Sequence, residues 1–214
     1  DALVPLSGGK DSTYALYLCG KVYGLRCLSV TFDNGFLSDY ARENIRRATS
    51  AAGADHLMYS VSRPALLKLY GAFLRSCAAF CPACMRGIEK CKEVMVAMYR
   101  IPLVVSGTGK RVSYLNQHPE VFQGGEYDVF ASVVKESGCV KDAASLRGPS
   151  LWKSMRTAMG LVCRKFHLPG PHVPEYVNLY DYIPPDLTKI TRILTDEMGW
   201  QAPAESVEHM DCEV

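Results

Sequence analysis

Short apolar runs alternate with longer amphipathic stretches along the first half of the chain. Ala2-Leu3-Val4-Pro5-Leu6 reads as a buried strand, and Thr13-Tyr14-Ala15-Leu16-Tyr17-Leu18 has the apolar spacing of a helix. Leu25 to Phe32 is rich enough in β-branched and aromatic residues for a second buried strand, ended by the turn signal Asp33-Asn34-Gly35. Helical spacing runs from Asp39 to Ala52 and stops at Gly53. His56 to Val61 predicts a third strand, Pro64 to about Arg75 a helix, and Met85 to Tyr99 another. A fourth strand, Ile101 to Ser106, ends at Gly107-Thr108-Gly109. Strands alternating with helices predict right-handed βαβ units and an α/β fold, with a mostly parallel sheet of about five strands covered by helices on both faces.

Beyond residue 110 the pattern weakens. Gly, Pro and polar clusters interrupt short helical stretches around Val129–Val134 and Leu151–Leu161, which predicts a helical insertion or lid over 111–176. Leu179-Tyr180-Asp181-Tyr182 reads as a short strand, followed by Pro184-Pro185 and a helix from Asp186 to Met198 with Gly199 as its stop. The expected organisation is a nucleotide-binding core over 1–110, the insertion, and a C-terminal appendage over 177–214 with a strand, a helix and a cysteine-bearing tail.

In a parallel sheet of this kind, ligands sit beyond the carboxyl ends of the strands. Ser7, Asp33 and Gly107 should therefore meet around one crevice. The turn after the first strand, Ser7-Gly8-Gly9-Lys10-Asp11-Ser12, suits an anion. Adjacent glycines let successive N–H groups converge, and the next helix offers its unpaired N–H groups and dipole. Ser7 and Ser12 add hydroxyl donors, Lys10 a mobile cation, and Asp11 a carboxylate for magnesium. The spacing is not that of a Walker loop.

Ser-Gly-Gly-Lys-Asp-Ser resembles, at all six positions, the phosphate loop of the PP-loop, or N-type, ATP pyrophosphatases of the adenine nucleotide alpha hydrolase-like superfamily. The resemblance implies a Rossmann-like (HUP-type) fold and cleavage of ATP between the α and β phosphates, with adenylation of an acceptor. It assigns ATP contacts to Ser7, Gly8, Gly9, Lys10, Asp11 and Ser12, with adenine near the backbone of Phe32 and Asp33. Gly107, Thr108 and Lys110 match the family's α-phosphate or substrate side, and Arg111 follows as a further cation. Relatives that modify tRNA often carry Gly-His and a downstream aspartate pair here; this chain has Ser106-Gly107-Thr108-Gly109-Lys110-Arg111.

Cys81-Pro82-Ala83-Cys84 places two thiols at a helix start, a metal-binding or redox spacing. A structural reading, in which small residues open a helix, stands beside it. The layout of phosphate loop, central Cys-X-X-Cys before an Arg-bearing helix, and distant third cysteine resembles the PP-loop tRNA sulfurtransferases of the thiouridine and thiocytidine type. On that resemblance Cys81, Cys84 and Cys212 hold one metal centre, a 4Fe–4S cluster or, with His209, zinc. Cys163 is the rival third ligand. Lys10, Asp11, Cys81 and Cys84 are then the catalytic set. The stretch from the phosphate loop through Cys-X-X-Cys-X-X-Gly-Ile to Ser106-Gly107, with Leu179–Tyr182 and Gly199-Trp200, is also similar to N-acetyl sugar amidotransferases. These use ammonia from a glutaminase partner. The two resemblances leave the acceptor, tRNA or a sugar nucleotide, and a sulfur-carrier or glutaminase partner open. A third reading, from another class, is an ATP-binding sensor without adenylating activity.

Composition changes this picture little. The 214 residues are 48% hydrophobic and 21% charged, with a net charge of +2 that does not itself argue for nucleic acid. The segment from Lys135 to His172 is more basic, with seven Lys and Arg against Glu136 and Asp142. Nine cysteines without a secretory leader predict a reducing, cytoplasmic setting. No apolar run reaches the ~18 residues of a membrane span, so no membrane is expected. A homodimer is compatible with all of this.

Overall fold

The computed structural model describes residues 1–108, 126–147 and 151–202. Five parallel strands form one sheet: β1 (Ala2–Pro5), β2 (Cys27–Phe32), β3 (Asp55–Tyr59), β4 (Leu103–Ser106) and β5 (Glu175–Asn178). Their order is β3-β2-β1-β4-β5. Ala2 pairs with both Cys27 and Leu103, Phe32 with Tyr59, and Ser106 with Asn178. This is the parallel α/β sheet that the alternation predicts, in a Rossmann-like fold. The chain builds outward from β1 to β3, then returns to the other side of β1 with β4. That reversal makes the carboxyl ends of β1 and β4 the switch point where such sheets leave a crevice.

Successive residues of a strand face opposite sides, and both sides are covered. Leu3, Val30, Phe32 and Val104 pack against α3 (Arg63–Cys77), α4 (Cys81–Tyr99) and α5 (Glu126–Glu136). Ala2, Val4, Cys27 and Val105 face α1 (Lys10–Tyr17), α2 (Asp39–Ala52) and α7 (Leu187–Met198). A further helix, α6, spans Leu151–Lys165. Phe130, Val133 and Val134 of α5, with Leu146 of the following 3-10 turn, are part of the first core.

Local signals fix the helix ends. The Ser38 hydroxyl accepts from the Ala41 N–H at 3.1 Å, and Gly53 closes α2 in the left-handed region. Asp186 caps α7 by accepting from the Lys189 N–H, and Gly199 ends it. The C-terminal strand differs from the sequence reading. Leu179–Asp181 is a 3-10 turn, closed by Tyr182 and Ile183 N–H groups on the Leu179 carbonyl, and the strand precedes it at Glu175–Asn178. The reason is that β5 is an edge strand with mostly exposed side chains, so it carries no apolar alternation.

Candidate active site

The six-residue loop leaves β1 and enters α1 at the switch point. Gly8 has φ +87°, and a Cβ there would lie 2.4 Å from the Ala41 carbonyl oxygen of α2. Both facts demand glycine. Hydroxyls brace the turn: Ser7 and Ser12 Oγ are 3.0 Å apart, Ser12 Oγ accepts from the Ser7 N–H, and it donates to the Gly9 carbonyl. The residue before α1 is Gly9, which has no side chain to cap the helix.

Gly107, at the end of β4, presses on the same turn. A Cβ there would stand 2.2 Å from the Asp11 carbonyl oxygen and 2.7 Å from the Ser12 nitrogen. Gly107→Ala should cost about 1–3 kcal/mol through this overlap. Urea unfolding checks this, and an unchanged midpoint would mean that the turn yields to the added methyl group. Ser7, Asp33 and Gly107 thus follow the ends of β1, β2 and β4 at one edge of the sheet, as the alternation predicts.

Two residues that sequence reasoning left without a role hold the loop from behind. Trp200, 2% exposed, donates its indole N–H to the Gly8 carbonyl at 2.9 Å. Its neighbour Gln201 exchanges two 2.9 Å hydrogen bonds with the buried Asn44 side chain of α2. The Tyr180 hydroxyl donates to Asp11 Oδ1 at 2.6 Å. Burial first, then the hydrogen bond and charge of Asp11, push this phenol well above its ordinary pKa, so it remains a donor. Asp11 Oδ2 lies 3.8 Å from Lys10 Nζ. The only sequence signals for this support were Gly199-Trp200 after a helix stop and the Leu179–Tyr182 stretch.

Thr108 is joined to the end of β5, with its hydroxyl on Asn178 Oδ1 at 3.2 Å and its carbonyl accepting from the Tyr180 N–H. Lys110 and Arg111 lie outside the described residues. Phe32 is buried and tilted against Tyr59, while Asp33 Oδ1 accepts from the Gly35 N–H and shapes the turn.

Cys81 and Cys84 occupy the first turn of α4, both partly exposed. Asn34, in the turn after β2, donates its side-chain amide to Cys84 Sγ at 3.7 Å, which ties this thiol to the carboxyl edge of the sheet. Gly87, one turn on, is where α4 crosses the Phe32 ring; a Cβ would meet it at 2.3 Å. Arg86 turns away from the crevice into the protein, to the Leu146 and Arg147 carbonyls and Glu93. Cys212 and His209 lie outside the described residues. Among the described residues no three His, Cys, Asp or Glu side chains gather as a metal site, so Cys163 does not complete the set. Its thiol instead packs against Gly170 in a cleft of about 250 Å³ shared with Arg164 and His172.

No protein-family profile matches the chain, and neither does any curated protein. Among solved structures, it is similar to the U34-tRNA thiolase NcsA from Methanococcus maripaludis with its [4Fe-4S] cluster. The identity is 14%, with a TM-score of 0.45, over 95% of this chain and 57% of that one. It is also similar to a predicted subunit of tRNA methyltransferase from Methanocaldococcus jannaschii, at 20% identity and a TM-score of 0.38, over 64% of each chain. The chain therefore spans less than two thirds of the length of either.

Proposed function

We propose that this protein is an AMP- and pyrophosphate-forming enzyme of the PP-loop type that adenylates an acceptor and transfers sulfur to it. One observation carries the reading. All six residues of the Ser-Gly-Gly-Lys-Asp-Ser turn stand at the β1–β4 switch point, with the two glycine contacts that hold the turn in place. The donor set fits ATP: an open helix start, a lysine for the phosphates, and one partly exposed carboxylate whose Oδ2 has, among the described residues, a loose lysine neighbour. Magnesium commonly takes one or two carboxylates plus substrate phosphates, so Asp11 would hold it.

In the first step an acceptor oxygen attacks the α-phosphorus, and the bond from that phosphorus to the bridging oxygen breaks with loss of pyrophosphate. Lys10 and the N–H groups at the start of α1 stabilise the charge that builds on the departing phosphates. The adenylated carbon then accepts sulfur as AMP leaves. Cys81 and Cys84 would be two ligands of a cluster or zinc, with Cys212 the proposed third; a cluster held so would supply an iron open to sulfide. The bond from Asn34 places Cys84 beside the turn after β2 and supports a role near the crevice.

The tRNA acceptor draws support from a second feature. Arg156, Arg164 and Lys165 are exposed on and after the middle of α6, with Phe166 beside them 63% exposed. Cations interleaved with an aromatic ring suit single-stranded RNA.

The test supplies ATP, magnesium and sulfide with bulk tRNA or an N-acetyl sugar nucleotide. AMP and pyrophosphate with thiolated tRNA are expected. Nucleotide binding without pyrophosphate from any acceptor would leave only a sensor, and amination with ammonia but not sulfide would replace sulfur by nitrogen. Protein purified without oxygen should carry iron, and Cys81→Ser with Cys84→Ser should remove it while ATP still binds. Iron-free wild-type protein would end the cluster assignment.

A further inference from the structure

We propose that Tyr180 is a positioning residue for the phosphate-loop carboxylate: it holds Asp11 by Oδ1 and so leaves Oδ2 as the oxygen offered to a divalent cation. This rests on the nucleotide-site reading above. The two oxygens of Asp11 have different neighbours. Oδ1 takes a 2.6 Å hydrogen bond from the Tyr180 hydroxyl, a short charge-assisted contact. Oδ2 faces Lys10 Nζ at 3.8 Å, beyond hydrogen-bond reach, on a side chain with several free torsions.

Both ends of the tyrosine contact are anchored through the backbone. Tyr180 sits in the 3-10 turn after β5, and its N–H donates to the Thr108 carbonyl at 3.1 Å. Thr108 is fixed in turn by its hydroxyl on Asn178. On the other side, the Asp11 backbone abuts Gly107 with no room for a methyl group. A phenol carried on this frame cannot follow a wandering carboxylate, so the carboxylate is held to it. The lysine is the movable partner. When a nucleotide arrives, Lys10 can swing to the phosphates and vacate Oδ2 for the cation, while Tyr180 keeps the carboxylate from turning after it.

The acceptor oxygens and the phosphates need not touch Tyr180, so its effect should appear in the cation dependence of binding. The probe is the α,β-methylene analogue of ATP, which cannot be cleaved, titrated calorimetrically with and without magnesium. Wild type should bind it more tightly with magnesium. Tyr180→Phe keeps the ring and the fold but should cut that enhancement roughly tenfold, as expected for loss of a hydrogen bond to a charged group. Metal-free affinity should stay within about twofold. In an Asp11→Asn background, Tyr180→Phe should change nothing further. An unaltered magnesium enhancement in Tyr180→Phe overturns the proposal, as does a full effect persisting in Asp11→Asn. A wild type that binds the analogue equally well with and without magnesium overturns the assignment of Asp11 to magnesium as well.

Discussion

Lys10→Ala is expected to lower the rate of pyrophosphate release about 10²–10³-fold, on the order of 3–4 kcal/mol of transition-state stabilisation, and to weaken ATP binding as well. Lys10 opens α1, where the backbone already turns its N–H groups outward, and it is the described cation nearest Asp11 in the loop. The charge it would meet grows as the α-phosphorus–oxygen bond breaks, so its removal should act on turnover more than on affinity. The pair with Asp11 is loose and both side chains are partly exposed, so folding stability should change by no more than about 0.5 kcal/mol. Steady-state release of pyrophosphate, with ATP titration alongside, checks both limbs. Equal turnover and equal affinity in the variant would remove Lys10 from the site.

Arg86→Leu should destabilise the protein by about 3–5 kcal/mol, a large part of the ~5–15 kcal/mol that holds a typical domain together. The Arg86 side chain is buried, and its guanidinium donates to the Leu146 carbonyl at 2.8 Å, the Arg147 carbonyl at 3.2 Å and Glu93 at 3.0 Å. Leucine would fill much of the volume but leave the Glu93 carboxylate and two carbonyls without this donor. Arg86→Lys should recover only part of the loss, because an ammonium cannot reproduce a planar fork reaching three acceptors. Urea unfolding should show the midpoint falling with little change in slope. A loss below about 1 kcal/mol would mean that water replaces the guanidinium at all three acceptors.

The strand–helix alternation, the helix stops at Gly53 and Gly199, and the phosphate-loop motif were legible along the chain. Each is written within a few residues: a two- or 3.6-residue period, a glycine free to take positive φ, a turn between a strand and a helix. Parallel pairing followed, because a helix between two strands allows little else. The common edge for Ser7, Asp33 and Gly107 followed from that. Gly87 in the Cys-X-X-Cys-X-X-Gly spacing was visible too, but its reason was not: the Phe32 ring lies where a Cβ would be.

What the linear pattern left undecided depends on partners far away in the chain. Tyr180 is 169 residues from Asp11, and Trp200 is 192 from Gly8. A single donor meeting a single acceptor across such a separation has no period and no local composition to announce it. Arg86 entered the sequence reading only as the arginine of the helix after Cys-X-X-Cys, and its direction depends on where the 142–147 segment crosses α4. The edge strand β5 was placed four residues late because an edge strand is held by backbone hydrogen bonds to β4, which any sequence can make. The sequence by itself determined where the Ser-Gly-Gly-Lys-Asp-Ser turn falls between a strand and a helix and where the helices stop. Only the tertiary structure decided which groups hold that loop still, because positioning is a property of contacts between distant segments rather than of any one of them.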